Sequence, residues 1–199
     1  DGSGNNRRNL RKAMRILNEA GWVAGDNGIR AKDGVKLEFE ILGVNPNFEK
    51  WVLPFIQNLK RLGVAANFRV VDTAQYQNRI TDYDFDMIIG SFPQSSSPGN
   101  EQREFWGSEK ADIPGSRNVI GIKDPAVDAI IEDLIRAPSR EKLVAYTRAL
   151  DRVLLHGHYV IPQWHVGHWR LAWWNTLQRP ETLSPLTPAV STTWWAKSK

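Results

Sequence analysis

The order in which two hydrophobic periods alternate over the first ninety residues limits the fold more than any single motif does. Leu10, Ala13, Met14, Leu17 and Ala20 recur at intervals of three and four, which predicts a helix from about Arg8 to Ala20 ending at Gly21. Asp26–Gly28 and Asp33-Gly34 then read as turns. After the second, Val35, Leu37, Phe39 and Ile41 alternate with polar neighbours, as expected of a strand with one buried face. Trp51, Phe55, Ile56, Leu59 and Leu62 return to the helical period, with Pro54 placed in the first turn and Gly63 closing the end. A strand from Val64 to Val71 follows. Asp72 and Gln75 resemble a capping box for a short helix to Thr81, and Phe85–Gly90 reads as a third strand. Strand, helix, strand, helix, strand in this order implies a parallel α/β sheet with right-handed crossovers.

Ligands of open parallel sheets lie at the carboxyl ends of the strands. The third strand runs into Ser91–Asn100, a segment rich in hydroxyls and amides and longer than a connection requires, so it is either a binding segment or an idle surface loop. Further on, Asp124-Pro125 and Ser139 read as caps of two helices. Their buried stripes are Val127, Ile130, Ile131 and Leu134, then Leu143, Tyr146, Leu150, Val153 and Leu154, and together they predict a helical hairpin. Tyr159–Trp164 and Trp169–Trp174 read as strands, with Pro162 marking an edge or a bulge.

Six of the nine tryptophans fall at Trp164, Trp169, Trp173, Trp174, Trp194 and Trp195. Fully buried, six indoles would contribute on the order of 30 kcal/mol before entropy, more than one short segment needs in order to fold. Some of these rings are therefore expected to face a cavity, another domain or a ligand.

Composition removes several kinds of chemistry. Zero cysteines exclude disulfides and thiolate sites. Of the four histidines, His156 and His158 straddle a predicted helix end and His165 and His168 lack a carboxylate at a ligand interval, and there is no HExxH pattern, so no metal is expected. No GxSxG, Walker or GxGxxG pattern occurs, no cofactor is expected, and Asp82, Asp84 and Asp86 read as a strand lead-in; the chain reads as a non-enzyme. The net charge of +4 is concentrated in part at Arg8, Arg11, Lys12 and Arg15, which share one helix face. That face is either simply solvated or binds phosphate, and no nucleic-acid-binding signature accompanies it.

Three longer stretches are family-specific: Ile120–Asp128, Leu143–Leu154 and His158–His165 closely resemble the C-terminal part of family 5 extracellular solute-binding proteins, the periplasmic receptors of ABC importers for oligopeptides, dipeptides and nickel. Leu17–Gly21 is similar to the segment that opens that lobe. Ser91–Gln94, Pro98–Arg103 and the Trp194-Trp195 pair look most like the oligopeptide and microcin C branch. The resemblance implies a periplasmic-binding-protein-like lobe with a central, mostly parallel sheet flanked by helices, plus a C-terminal helical hairpin and Trp-rich strands. On that reading residues 1–199 form a single C-terminal lobe: a βαβ-type core over about 1–90, a ligand-facing loop over about 91–118, the hairpin over about 119–157, and Trp-rich strands and tail over 158–199. It further implies an N-terminal lobe carrying the signal peptide, a hinge closing on a peptide or peptide-like ligand, an inner-membrane ABC permease as partner and a periplasmic location.

Relatives that bind peptides often place an acidic residue just after the strand equivalent to Phe85–Gly90, and Ser91-Phe92-Pro93-Gln94 supplies none. The ligand contacts that the resemblance leaves are the polar groups of Gln94, Ser95, Ser96 and Asn100, the guanidinium of Arg103, and the apolar faces of Phe92 and Trp106, with Asn118, Trp164 and His165 behind them. Two other classes fit the same residues. An aromatic carbohydrate-binding module would present the tryptophans as a platform, and a small serine hydrolase would pair Ser95 or Ser97 with His165.

Overall fold

The computed structural model describes residues 4–25, 27–95, 97–163, 170–183 and 190–197. The first helix, α1 (Asn6–Glu19), starts where the Asn5 side chain accepts a hydrogen bond from the Arg8 N–H at 3.2 Å, and the chain leaves it through Gly21 at φ 85°. Three short strands follow, β1 (Val23–Ala24), β2 (Arg30–Lys32) and β3 (Val35–Lys36), in an antiparallel sheet. The two residues between β2 and β3, Asp33 and Gly34, have φ of 52° and 82°, both in the left-handed region that a tight hairpin demands.

The continuous strand expected from Val35 breaks at Leu37, whose N–H donates to the carbonyl of Arg30. The chain then enters β4 (Glu38–Gly43) and a different sheet. A short 3-10 turn at Pro46–Phe48 leads into α2 (Glu49–Arg61), followed by β5 (Ala65–Val70), α3 (Thr73–Thr81) and β6 (Met87–Ile88). The sheet order is β5-β4-β6 with both pairings parallel, so the α/β reading holds and β4 is central. Its last three residues, Ile41, Leu42 and Gly43, are all buried. Since successive side chains point to opposite faces, both faces of β4 are covered there, not one.

Pro54 lies well inside α2 rather than in its first turn. The helix starts upstream of Trp51 because Asn45 caps the preceding 3-10 turn through a 2.9 Å bond from the Asn47 N–H. Pro54 and Lys50 are both exposed, which leaves the Lys50 carbonyl open to water where the helical bond is lost. The Asp72 carboxylate caps α3 as the sequence indicates, accepting from the Gln75 N–H at 2.9 Å.

Polar side chains tie these pieces together. Arg30 is buried, donating from Nε to the Leu62 carbonyl at 2.6 Å and from Nη1 to Asn18 Oδ1 at 2.6 Å and to the Trp22 carbonyl. On β4, Glu40 accepts from Arg79 of α3 at 2.7 Å, and its main-chain N–H donates to Asp86 at 2.9 Å. Arg79 also donates to the Asp84 carboxylate at 2.9 Å. Asp84 and Asp86 are thus engaged in positioning the approach to β6.

A fourth helix, α4 (Glu101–Trp106), occupies part of the segment expected to be loop. Beyond it, α5 (Pro125–Ile135) and α6 (Arg140–His156) pack as the expected hairpin, capped by Asp124 and Ser139 side chains. Val127, Ile131, Leu134 and Leu150 are buried. The described parts of the two Trp-rich segments, 159–163 and 170–174, contain no strand; residues 164–169 lie outside the described residues. Strand structure appears instead at β7 (Leu177–Gln178), paired antiparallel with β8 (Trp195–Ala196) after the short α7 (Val190–Thr193). Strand propensity reports how well side chains fit a pleated surface and does not supply a partner edge.

The chain divides into two units: Asp1–Pro93 with Arg103–Lys123, and Gln94–Gln102 with Asp124–Lys199. In the first, Leu42 is fully buried at the centre of the sheet. Leu42→Ala is expected to destabilise that unit by about 3 kcal/mol, read as a lower urea midpoint at unchanged slope.

Candidate functional site

The sequence-proposed residues fall into both units. In the first, Phe92 follows β6 and packs against two rings presented by α4. Its centroid lies 5.7 Å from Phe105 in an edge-on contact and 4.5 Å from Trp106. Phe105 and Trp106 are buried, at 4% and 6% exposure, whereas Phe92 is half-buried and keeps part of its ring accessible. The Arg117 guanidinium sits 4.3 Å over Phe105, closing the cluster with a cation–π contact. Trp106 is therefore a support for Phe92 and offers little face of its own. Arg103 is exposed on the same helix.

Asn118 differs from the other candidates. It is completely buried, and all of its amide is engaged: Nδ2 donates to the carbonyls of Gly107 and Ile122 at 3.0 Å each, and Oδ1 accepts from the Ile122 N–H at 3.0 Å. It pins the turn that follows α4. No atom of Asn118 remains for a ligand, which removes it from the contact set.

In the second unit, the loop from Gln94 to Asn100 is held by its own side chains and by the first two residues of α4. The Glu101 carboxylate accepts from the Gly99 N–H at 3.0 Å and from the Gln102 amide at 3.3 Å. Gln102 is buried, and its Nε2 donates to Gln94 Oε1 at 2.6 Å. Ser95 Oγ accepts from the Ser97 N–H at 3.2 Å, a local turn that fixes the serine run. Gln94, Ser95 and Asn100 are all exposed, so a braced backbone carries outward-facing polar groups. Ser96, Trp164 and His165 lie outside the described residues.

Glu101 and Gln102 were not among the sequence candidates, yet they set the loop's geometry. The local signal is a carboxylate two residues after Gly99, a spacing that lets it reach back to a main-chain N–H. The reach of Gln102 to Gln94 across eight residues has no such signal. Burial works to raise the Glu101 pKa, but the N–H groups of Glu101 itself and Gly99 and the amide of Gln102 outweigh it and hold the carboxyl below the usual glutamate range. A depressed carboxylate stabilises the fold above its unfolded value, and that contribution disappears as pH falls through the lower folded value.

Two outcomes follow from this geometry. Asn118→Ala is expected to cost about 3 kcal/mol by leaving buried carbonyls unpaired, and Asn118→Asp should not restore the loss because a carboxylate cannot donate; urea unfolding measures both. The Gly99 amide resonance should titrate with a midpoint below that of an ordinary glutamate, and the titration should vanish in Glu101→Gln.

Residues 1–112 match the model for bacterial extracellular solute-binding proteins, family 5 Middle. The chain is 46% identical over 191 residues to a probable peptide-binding protein, YejA, of Agrobacterium fabrum, covering 96% of this chain and 31% of that protein. It is 40% identical over 195 residues to a peptidoglycan-binding protein, YepA, of the same bacterium, covering 98% and 32%. Thus it spans about a third of the length of the curated relatives it matches. Among solved structures, the oligopeptide-binding protein AppA of Bacillus subtilis, in complex with a nonapeptide, superposes with a TM-score of 0.71 at 18% identity over 94% of this chain and 37% of that one. A mannohexaose-bound periplasmic oligopeptide-binding protein of Thermotoga maritima gives 0.72 at 19% identity, over 85% and 33%. These likenesses establish the α/β fold of a periplasmic binding-protein lobe. By the match over more than half its length, the chain belongs to the family 5 bacterial extracellular solute-binding proteins.

Proposed function

We propose that this chain is the C-terminal lobe of a periplasmic receptor that captures oligopeptides or peptide-like solutes between two lobes and delivers them to an ABC permease in the inner membrane. The observation that carries this reading is the 46% identity, over 96% of the chain, to a protein named as peptide-binding. The ligand-facing set is Phe92, Gln94, Ser95, Asn100 and Arg103, with Ser96, Trp164 and His165 kept from the sequence. Their chemistry suits an extended ligand: main-chain amides meet Gln94, Ser95 and Asn100, the exposed part of Phe92 meets an apolar side chain, and Arg103 pairs with a carboxylate or phosphate. Ser91–Gln94 contains no carboxylate, so recognition of a free amino terminus is not assigned to it. The same loop, with Trp194-Trp195, favours the microcin C and oligopeptide branch.

Exposed apolar residues of the second unit fit a lobe that meets further protein. Ile161, Trp173, Trp174 and Trp195 are 50%, 47%, 84% and 49% exposed. So many large apolar side chains left open are a feature of interaction faces, and the other lobe is their proposed cover. The relative named as peptidoglycan-binding and the fold neighbour that holds mannohexaose favour a second reading of the ligand, a peptide that carries sugar.

Calorimetry separates these readings. The 199-residue chain alone should bind short peptides far more weakly than a protein that also contains the second lobe, because half the contacts are absent; submicromolar binding by this chain alone contradicts the two-lobed site. In the two-lobed protein, Arg103→Ala should weaken an anionic peptide about tenfold or more, as loss of a charged hydrogen bond does. A null effect there removes Arg103 from the site and leaves the receptor reading standing. Tighter binding of a muropeptide than of the same peptide without sugar selects the second reading.

A further inference from the structure

The peptide reading makes no use of α1, and this helix carries the most concentrated charge in the chain. Between Asn6 and Glu19 it holds Arg7, Arg8, Arg11, Lys12 and Arg15 against the single carboxylate of Glu19, which pairs with Arg15 at 3.5 Å. Arg7, Arg11 and Arg15 form one i, i+4 row, and Arg8 and Lys12 form the row beside it, so the cations share an arc of about 140°. All five are exposed. On the opposite side Asn9, Leu10, Ala13 and Leu17 are half-buried, and Asn18 near the helix end accepts from the buried Arg30, so the basic arc faces outward. Met14 and Ile16, 40% and 50% exposed, border the arc on either side. An open groove of about 630 Å³ runs from the basic arc past Ile16, lined by Arg8, Arg11, Lys12 and Arg15 on one side and by Asn9 and Ala13 on the other.

We propose that this face of α1 binds the surface of an anionic bilayer, with lipid phosphates seated among the arginines. Five cations diverging from a convex helix match a planar field of phosphates better than a single concave protein site. Met14 and Ile16 stand where a headgroup layer gives way to acyl chains, and five cations outnumber them, so the attraction is chiefly electrostatic. In an extracellular family a bilayer is an anionic surface at hand, and such contact would hold the receptor close to membrane proteins.

Vesicle sedimentation of the whole 199-residue chain tests this. Phosphatidylglycerol–phosphatidylcholine vesicles should retain the chain, phosphatidylcholine alone should not, and molar salt should release it. A variant with Arg8→Gln, Arg11→Gln, Lys12→Gln and Arg15→Gln should lose about tenfold or more in partitioning. A control with Arg140→Gln, Lys142→Gln, Arg148→Gln and Arg152→Gln, equal in net charge, should keep its binding. Circular dichroism verifies helix content, and Lys12→Glu alone provides a milder variant if the fourfold one fails to fold. Equal partitioning onto both vesicle types, or an equal loss in the control, overturns the proposal. So does stronger retention by inorganic pyrophosphate, polyglutamate or duplex DNA, which would assign the face to a free phosphate, an acidic protein or a nucleic acid.

Discussion

Simultaneous pairing of both edges of β4 and burial of both its faces is the constraint on which the first unit depends. At Ile41 and Leu42, where the strand is buried, the peptide groups have no route to water, so β5 and β6 must both be present there to satisfy them. Leu42 at the centre is completely buried, and Ile41 nearly so. The charge at Glu40 is tolerated because Arg79 and the lead-in carboxylates close a network around the start of the strand. Arg30 performs a similar task at the other side of the unit, linking the end of α2, the end of α1 and the residue beyond it through one guanidinium. Its five donors in a fixed fork allow one buried cation to satisfy carbonyls from separate segments.

The segment from Gln94 into the first turn of α4 is held by internal bracing: Glu101 and Gln102 take up main-chain and amide groups that would otherwise loosen it, and Gln94, Ser95 and Asn100 remain outward, as the proposed ligand contacts require. Ordering a loop in advance lowers the entropy lost when a ligand binds. Phe92 is braced separately, by two buried rings under a cation. The second unit carries the opposite character, with indoles at Trp173, Trp174 and Trp195 left open to solvent. Trp173 meets Trp194 edge-on at 5.0 Å, and Trp195 donates to Gln178 at 2.8 Å, so these rings have local order while still presenting apolar area.

Much of the architecture was legible because local rules decided it. Asp72, Asp124 and Ser139 cap the helices at which the sequence points to them, and the Asp33-Gly34 turn has the backbone its residues favour. Errors arose where a distant partner overruled a local pattern. The alternation from Val35 to Ile41 is continuous in sequence, yet Arg30 captures the Leu37 N–H and divides it between two sheets. The Trp-rich segments have strand composition without a described strand, and the pairing goes to Leu177–Gln178 and Trp195–Ala196. Asn118 looks like a ligand contact in sequence because any asparagine near a polar loop does; only its burial reveals that its amide is already committed.

The sequence by itself determined the β4-α2-β5-α3-β6 order, the parallel sheet, the helical hairpin and the family, since each follows from periodicity, caps or long local motifs. Tertiary structure alone decided that β4 is covered on both sides, that Trp106 and Asn118 are supports, and that Glu101 and Gln102 brace the loop. Those outcomes depend on which atoms meet across tens of residues, and one-dimensional spacing does not encode the packing that brings them together.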